Sequence, residues 1–515
     1  MMKSTRLFWP CMLFVAVSAV LLYMLVGHNR ESFWPANAVH NWEQYGFFTL
    51  HGKLAVNPGG YEVLTDPEFY KGHRPASYYP VFAVSKIAGG WMDGLTAFHL
   101  VFTMLLFLSV WHLLGRTGIA LVGATATALC PGYAVYPTVV DPNAIALYMV
   151  VPFAAVVVQL LSAKQMTPAR IIFLALLMFL YSALNWTTAF GHGILFCALL
   201  VLPSVPWSRV GLYLILSGIG VGVVGMLSVL DKMSGQGHQA AHGSFMTFLA
   251  GYTWGHIGYG SDLNTFKAVI RLTTANVLGL LPIIAFLGWL AVKVRRADRR
   301  WDTFAFLPLL AAVGGVMVLR NYFGHHPWMA APMILPGLVF SMGAVVQRRE
   351  ADAPELPRKS PASAVAFLLA ALLFAVGIAG AHRAYHDETL QMVSFVIKHT
   401  VRADTVALAQ DLNPDMCEQA LSLSHACDRR VVVLPNAQAA PPANAGNVFL
   451  LTTADLSGQL PVIAHSEKSP FMSLPGIRQM MAWYAEKIAR RGQQDHHFDY
   501  ATKATFSLYR LNAAN

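Results

Sequence analysis

The amino-acid sequence predicts an α-helical polytopic membrane protein of about eleven transmembrane helices, followed by an extracytoplasmic α/β domain. Three observations predict it. Only 12% of the 515 residues are charged while 56% are hydrophobic, against roughly 25% charged residues in ordinary soluble domains. Apolar runs of about 20 residues, the length that crosses a bilayer, recur up to residue 383. Beyond that point the apolar runs are short and β-rich and alternate with helical pattern.

In chain order, the first run, Leu7 to Gly27, follows the basic stretch MMKSTR. It opens like a signal peptide, yet it spans about 20 residues and has no small-residue cleavage pattern, so an uncleaved helix is expected. Further spans are expected near 92–114, 118–137, 142–162, 170–186, 188–204, 209–230, 269–292, 303–320, 327–346 and 362–382. The positive-inside rule orients them: Lys3, Arg6, Arg116, Lys164, Arg170, Arg209, the KVRRADRR cluster at 293–300, Arg348, Arg349, Arg358 and Lys359 fall on one side. The net charge of +10 is therefore mostly a topology signal, and no nucleic-acid partner is expected. The domain expectation is a membrane domain over 1–383, with a long first external loop at 28–90, and a soluble periplasmic α/β domain over 384–515. In that last segment TVALAQ, RVVVLP, NVFLLTT, PVIAHSE and TFSLYRLN read as strands and GIRQMMAWYAEKIARR as a helix.

Function is expected on the outer face, because ionisable residues near the hydrocarbon edge are costly and tend to be functional. Directly after the first span comes NRESFWPANAVHNWEQYG, which holds Glu31 and Glu43. The aromatic and amide-rich residues between them suggest a helix along the interface. Either glutamate alone could equally solvate an interfacial loop. The rest of the loop carries Lys71, His73 and Arg74, then HRPASYYP at 73–80; Asp141 sits in VYPTVVDPN, and RNYFGHHPWMAAPMILPGL occupies 320–338.

This order resembles the GT-C glycosyltransferases, membrane enzymes that move a sugar from a polyprenyl phosphate or related lipid carrier. In that family the first span ends at an acidic residue, a helix then leads into a glycine, here Gly46, and a proline-containing aromatic motif precedes the second span. HRPASYYP stands where many members carry a PP motif, Asp141 is similar to the acidic residue of their second loop, and the 320–338 segment resembles their late aromatic, proline-rich approach to the carrier. The chain departs from many members in having Glu31 where they have Asp and in lacking the full PP motif.

The resemblance implies a transferase of the bacterial inner membrane, active on the periplasmic side, with a polyprenyl-phosphate-linked sugar as donor, a glycan or lipid-linked acceptor, and membrane lipids as surroundings. Transfer to a hydroxyl needs a base, typically worth about 10²–10⁴-fold. Glu31 is the first choice, Glu43 the second, and Asp141 orients the acceptor or shares the role. Donors for the departing phosphate are Lys71, His73, Arg74, Arg320, His325 and His326, the planar guanidinium of Arg320 being best suited; lipid-headgroup snorkelling is its alternative role. Tyr78, Tyr79 and Tyr322 are expected at the substrate pocket. A lipid phosphate leaves as a stable anion, so no cofactor is required and a divalent metal is optional.

Other patterns carry less. TDPEFY offers a D-x-E that is as readily turn-forming, HQAAH at 238–242 has metal-ligand spacing without a third ligand, and no metal site is expected. Cys11, Cys130 and Cys197 lie in spans, whereas an oxidising compartment would favour a Cys417–Cys427 disulfide, the alternative being two free thiols. A transporter or lipid flippase is the competing reading, but internal repeats and midplane charges are not evident. A scaffold for envelope assembly would leave the clustered carboxylates, arginines and histidines unexplained.

Overall fold

A computed structural model describes residues 2–26, 33–61, 63–69, 75–89, 91–115, 117–134, 142–185, 187–235, 265–297, 303–318, 330–352, 361–412, 414–418, 420–440, 447–466 and 506–511. The chain divides into two compact units. The first comprises Met1–Met24, Lys71–Ala88 and Met92–Gly377, and the second Leu25–Tyr70, Gly89–Trp91 and Ile378–Asn515. In the later part of the chain the units meet at Gly377 and Ile378, and Leu25–Tyr70 groups with the C-terminal residues.

Helices α1 (Met2–Val26) and α2 (Phe33–Tyr45) are followed, after a 3-10 turn at Pro75–Tyr78, by α3 (Tyr79–Ala88), α4 (Trp91–Leu113), α5 (Gly118–Ala128), α6 (Pro131–Ala134), α7 (Pro142–Tyr148), α8 (Val150–Leu161), α9 (Pro168–Leu184), α10 (Thr188–Val201) and α11 (Trp207–Gly235). Then come α12 (Thr265–Ala297), α13 (Leu307–Val318), α14 (Ala330–Asp352) and α15 (Pro361–His399). Among the described residues, Leu7–Leu25, Trp207–Leu227, Ala330–Gln347 and Ala362–Gly380 are long and apolar enough to cross a membrane, and seven shorter apolar helices accompany them. Each coincides with an expected span. Prolines account for two of the shorter pieces. α5 stops at Ala128 ahead of Pro131, and α7 and α8 divide at Met149, where Pro152 has no N–H to give the Tyr148 carbonyl.

The surface of the first unit is that of a membrane protein. Trp9, Leu13, Val17 and Leu21 on α1, Ile215, Ile219, Val223 and Leu227 on α11, and Val365, Leu369 and Leu373 on α15 are all exposed. Residues four apart share one helix face, so each helix presents a continuous apolar stripe. Leaving one large apolar side chain in water costs about 1.5–3 kcal/mol, so these stripes belong in hydrocarbon; the protein is a multi-pass membrane protein. α14 is the opposite case, 89% buried over Ala330–Gln347 and thus central to the bundle.

Small residues and a few polar contacts hold that bundle together. A Cβ on Gly337 would stand 2.8 Å from both the Ala312 Cβ and the Pro308 carbonyl oxygen, so α13 lies directly on the α14 backbone there, the close approach expected without a hydrophobic driving force between helices in lipid. Ser182, His192 and Tyr213 join α9, α10 and α11 in a buried chain, with His192 Nε2 3.0 Å from Ser182 Oγ and His192 Nδ1 2.9 Å from Tyr213 Oη. At the end where the charge bias predicts cytoplasm, Arg209 donates to the carbonyls of Leu161, Ala163 and Lys164 and so caps α8.

In the second unit, β1 (Thr405–Ala409), α16 (Pro414–Glu418), α17 (Ala420–Cys427), β2 (Arg430–Leu434), β3 (Val448–Thr452), β4 (Val462–His465) and β5 (Ser507–Leu511) build a sheet of order β2-β1-β3-β5-β4. All five runs read as strands from the sequence are strands. β1 is parallel to β2 and β3, while β5 is antiparallel to β3 and β4. The alternation of side chains across a strand divides the core. Val406, Leu408, Phe449 and Leu451 pack with Met392, Val393 and Val396 of α15 and with α17, while Ala407, Ala409, Val448 and Leu450 pack with Leu434, Tyr509 and Leu511. Both faces of β1 and β3 are therefore buried, which is why their sequences are unbroken apolar runs.

Candidate functional site

The first unit contains an apolar cleft. α12 and α13 both pack on α14 but scarcely on each other. The space left between them measures about 470 Å³ and is walled by Val277, Leu280, Leu287, Leu309, Val313 and Leu338 among others, with Thr273 and Asn276 at one end. From Thr273 to Gly288 the cleft follows α12 for about 22 Å at 1.5 Å per residue. Val277 and Met317 on its rim are 43% and 39% exposed, so it opens at the surface.

The second unit fixes the helix of the first external loop. α2 ends at Tyr45, and Gly46 takes a φ of +95° with its N–H on the Trp42 carbonyl, the left-handed stop that glycine makes at low cost. Ala38, Val39 and Trp42 are buried, and Trp42 Nε1 donates to the Lys53 carbonyl at 2.7 Å. A second face of α2 is polar. Asn37, His40, Asn41 and Gln44 contact His425, Asp428 and Arg402.

Asp428 is the centre of these contacts. It lies one residue past the end of α17 with a φ of +51°, a conformation that Asp tolerates better than most residues. Its Oδ2 accepts from His40 Nδ1 at 2.7 Å and Arg402 Nε at 2.8 Å, and its Oδ1 from the Gly59 N–H at 2.8 Å. Burial acts to raise the Asp428 carboxyl, but the His40 hydrogen bond and the Arg402 charge outweigh it and hold the group below its ordinary value. Burial lowers His425, against the pull of Glu68 and Asp428, and a neutral ring lets its Nδ1 accept from Asn37 Nδ2 at 3.2 Å.

A depressed carboxyl pKa stabilises the fold above the unfolded value of about 3.9 and loses that contribution as pH falls through the folded value. The stability difference between wild type and Asp428→Asn is accordingly expected to be full at neutral pH and to shrink once pH drops below the carboxylate range. Thermal unfolding across an acid series measures it, and a difference that grows in acid would contradict this assignment.

The sequence-selected residues distribute unevenly. Glu43 is half-buried on α2. Tyr79 is 38% exposed, whereas Tyr78 is fully buried in the first unit. The expected Cys417–Cys427 disulfide is also corrected, because both thiols are free. Cys427 is buried in the core under α15 and Cys417 packs partly against it, both acting as small apolar side chains. Asp66 and Glu68 are exposed, and Asn57 holds their segment as a turn by bonds to the Asp66 carbonyl and the Glu68 N–H. Among the described residues no cluster of three or more His, Cys, Asp or Glu could hold a metal. Glu31, Lys71, His73, Arg74, Asp141, Arg320, Tyr322, His325 and His326 lie outside the described residues, as do the HQAAH segment and 476–491. Asp428 and Arg402 were not singled out from sequence. Asp428 follows a cysteine and precedes two arginines in a CDRR run that looks like ordinary surface charge.

Fold and composition thus define a class, a polytopic membrane protein with an α/β sheet domain and an apolar cleft. No protein-family model matches the chain, and no curated protein does. Solved structures do resemble it. ArnT from Cupriavidus metallidurans in the apo state is 13% identical, with 88% of this chain and 95% of that chain covered at a TM-score of 0.47. The archaeal oligosaccharyltransferase AglB from Archaeoglobus fulgidus, in complex with an inhibitory peptide and a dolichol-phosphate, is 12% identical, with 84% and 65% covered at 0.40.

Proposed function

We propose that this protein is an integral membrane glycosyltransferase that moves a sugar from a polyprenyl-phosphate carrier to an extracytoplasmic glycan or lipid-linked acceptor, with a first-loop carboxylate as general base. The observation that carries this reading is the cleft between α12 and α13. It is long, narrow and apolar, and polar only at Thr273 and Asn276. The KVRRADRR cluster at the far end of α12 marks the cytoplasmic side by its charge, so the polar end of the cleft is the outer one. A site of that form suits an amphiphile with its chain along the bilayer normal and its head at the outer surface.

In the reaction the carboxylate takes the proton of the acceptor hydroxyl, whose oxygen bonds to the anomeric carbon. The bond from that carbon to the phosphate oxygen breaks, and polyprenyl phosphate departs with the electron pair. Lys71, His73, Arg74, Arg320, His325 and His326 are the cationic and hydrogen-bonding residues available to hold it. Because the leaving group is a stable monophosphate, the chemistry does not depend on a metal.

The test is reconstitution in lipid nanodiscs with sugar phosphates carrying either a long polyprenyl chain or a single isoprene unit. Transfer is expected from the long-chain donor. Gly288 lines the cleft, and a Cβ there meets nothing within 4 Å, so Gly288→Trp is the substitution chosen to fill the space. It is expected to raise the KM for the long-chain donor about tenfold by excluding packed chain atoms while sparing the short-chain donor. No transfer from any polyprenyl-phosphate sugar would overturn the function; an unchanged KM in Gly288→Trp would remove the cleft from it.

A further inference from the structure

We infer that Asp428 and Arg402 are positioning residues for the transfer reaction: from the C-terminal sheet domain they set the rotation and register of α2, and with them the place of Glu43. The inference rests on the proposed function and assigns the C-terminal domain a part in it.

Asn37, His40, Asn41 and Gln44 recur at the spacing of one helix face, and every one of them meets a residue more than 350 positions later in the chain. Arg402 spreads its donors over three partners, Nε to Asp428, Nη2 to Asn41 Oδ1 at 2.5 Å, and Nη1 to Gln44 Oε1. Asn41 in turn donates to the carbonyls of Ala55 at 2.8 Å and Asn57 at 3.0 Å, which ties the following loop to the same point. The Pro58–Gly60 turn descends so close that a Cβ on Gly59 would lie 2.4 Å from Arg402 Cγ and 2.5 Å from the Asp428 carbonyl oxygen.

Adhesion alone does not need such an arrangement. Replacing buried ionic groups by apolar ones of similar volume is often neutral or stabilising, and setting a unique register is the best-attested use of retaining them. A slip of α2 by one turn moves a side chain by about 5.4 Å. The guanidinium fork and the carboxylate do not survive it, because each partner atom has one place. Glu43 lies on α2 between Asn41 and Gln44, so a fixed α2 fixes this carboxylate. A displacement of 1 Å at a reacting group can cost about 10²-fold.

The full-length protein in nanodiscs tests this with two acceptors, a hydroxyl compound and azide. Azide attacks the anomeric carbon without a proton to lose and so bypasses the base. Asp428→Asn and Arg402→Lys are expected to lower hydroxyl transfer about 10²-fold while azide transfer stays within about twofold. Arg402→Lys keeps the charge and loses the fork. His40→Ala, at a side chain 41% exposed, is expected to show the same selective loss at about a tenth of that size. If the variants lose both acceptors in proportion, or neither, the positioning role is overturned. If the wild type transfers sugar to neither acceptor, the proposed function fails and this inference fails with it.

Discussion

Glu31→Gln and Glu43→Gln are expected to divide sharply, one losing hydroxyl transfer by about 10²–10⁴-fold and the other much less, because a single general base supplies that factor. The variant that loses the base should also lose the acidic limb of its pH–rate profile and keep azide transfer. The other should retain that limb and change the acceptor KM instead, as expected of a carboxylate that orients the hydroxyl. Asp141→Asn is expected to follow this second pattern. Geometry constrains Glu43 most. It stands on a helix closed at one end by Gly46 and held along one face by His425, Asp428 and Arg402, and it is half-buried. Full hydroxyl transfer in all three variants, measured as initial rates at saturating donor, would remove the carboxylate mechanism.

Arg429→Met should strongly destabilise the C-terminal sheet domain, by about 1.5–3 kcal/mol, the range for losing hydrogen bonds from a charged donor to buried acceptors. Arg429 is 6% exposed. Its Nε donates to Thr400 Oγ1 at 2.9 Å, its Nη2 to the Thr400 carbonyl at 2.8 Å, and its Nη1 to the carbonyls of Asp428 at 2.9 Å and Cys427 at 3.2 Å. Those carbonyls belong to the C-terminal ends of α15 and α17, where a cation is favoured by the unpaired C=O groups and the helix dipole. Methionine fills similar volume and satisfies none of them. Chemical denaturation followed at the sheet domain measures the loss, and a variant within about 1 kcal/mol of wild type would refute the assignment.

The fold was legible where one physical rule dominated. Lipid solvation forces apolar helices, so the helical stretches could be located along the chain, and burial of β1 and β3 on both faces leaves runs such as TVALA and VFLLT that only a covered strand explains. What the sequence concealed was tertiary. The grouping of residues 33–69 with the C-terminal sheet depends on Asp428, Arg402, His40 and Gly59 meeting across hundreds of residues, and none of them stands out locally. The Cys417–Cys427 spacing suited a small loop, yet the burial of Cys427 beneath α15 makes it a packing residue.

The contacts between α2 and the sheet domain also bear on how the chain is made. Asp428 follows His40 by 388 residues, and a ribosome adding about 5–20 residues per second needs roughly 20–80 s to cover that distance. During that interval the first loop is already synthesised while its partner does not yet exist. Asn37, His40, Asn41 and Gln44 wait for His425, Asp428 and Arg402, and a nascent chain that stops short of Asp428 leaves this face of α2 without its native partners. Synthesis through the end of α17 is thus the step that matures the start of the protein.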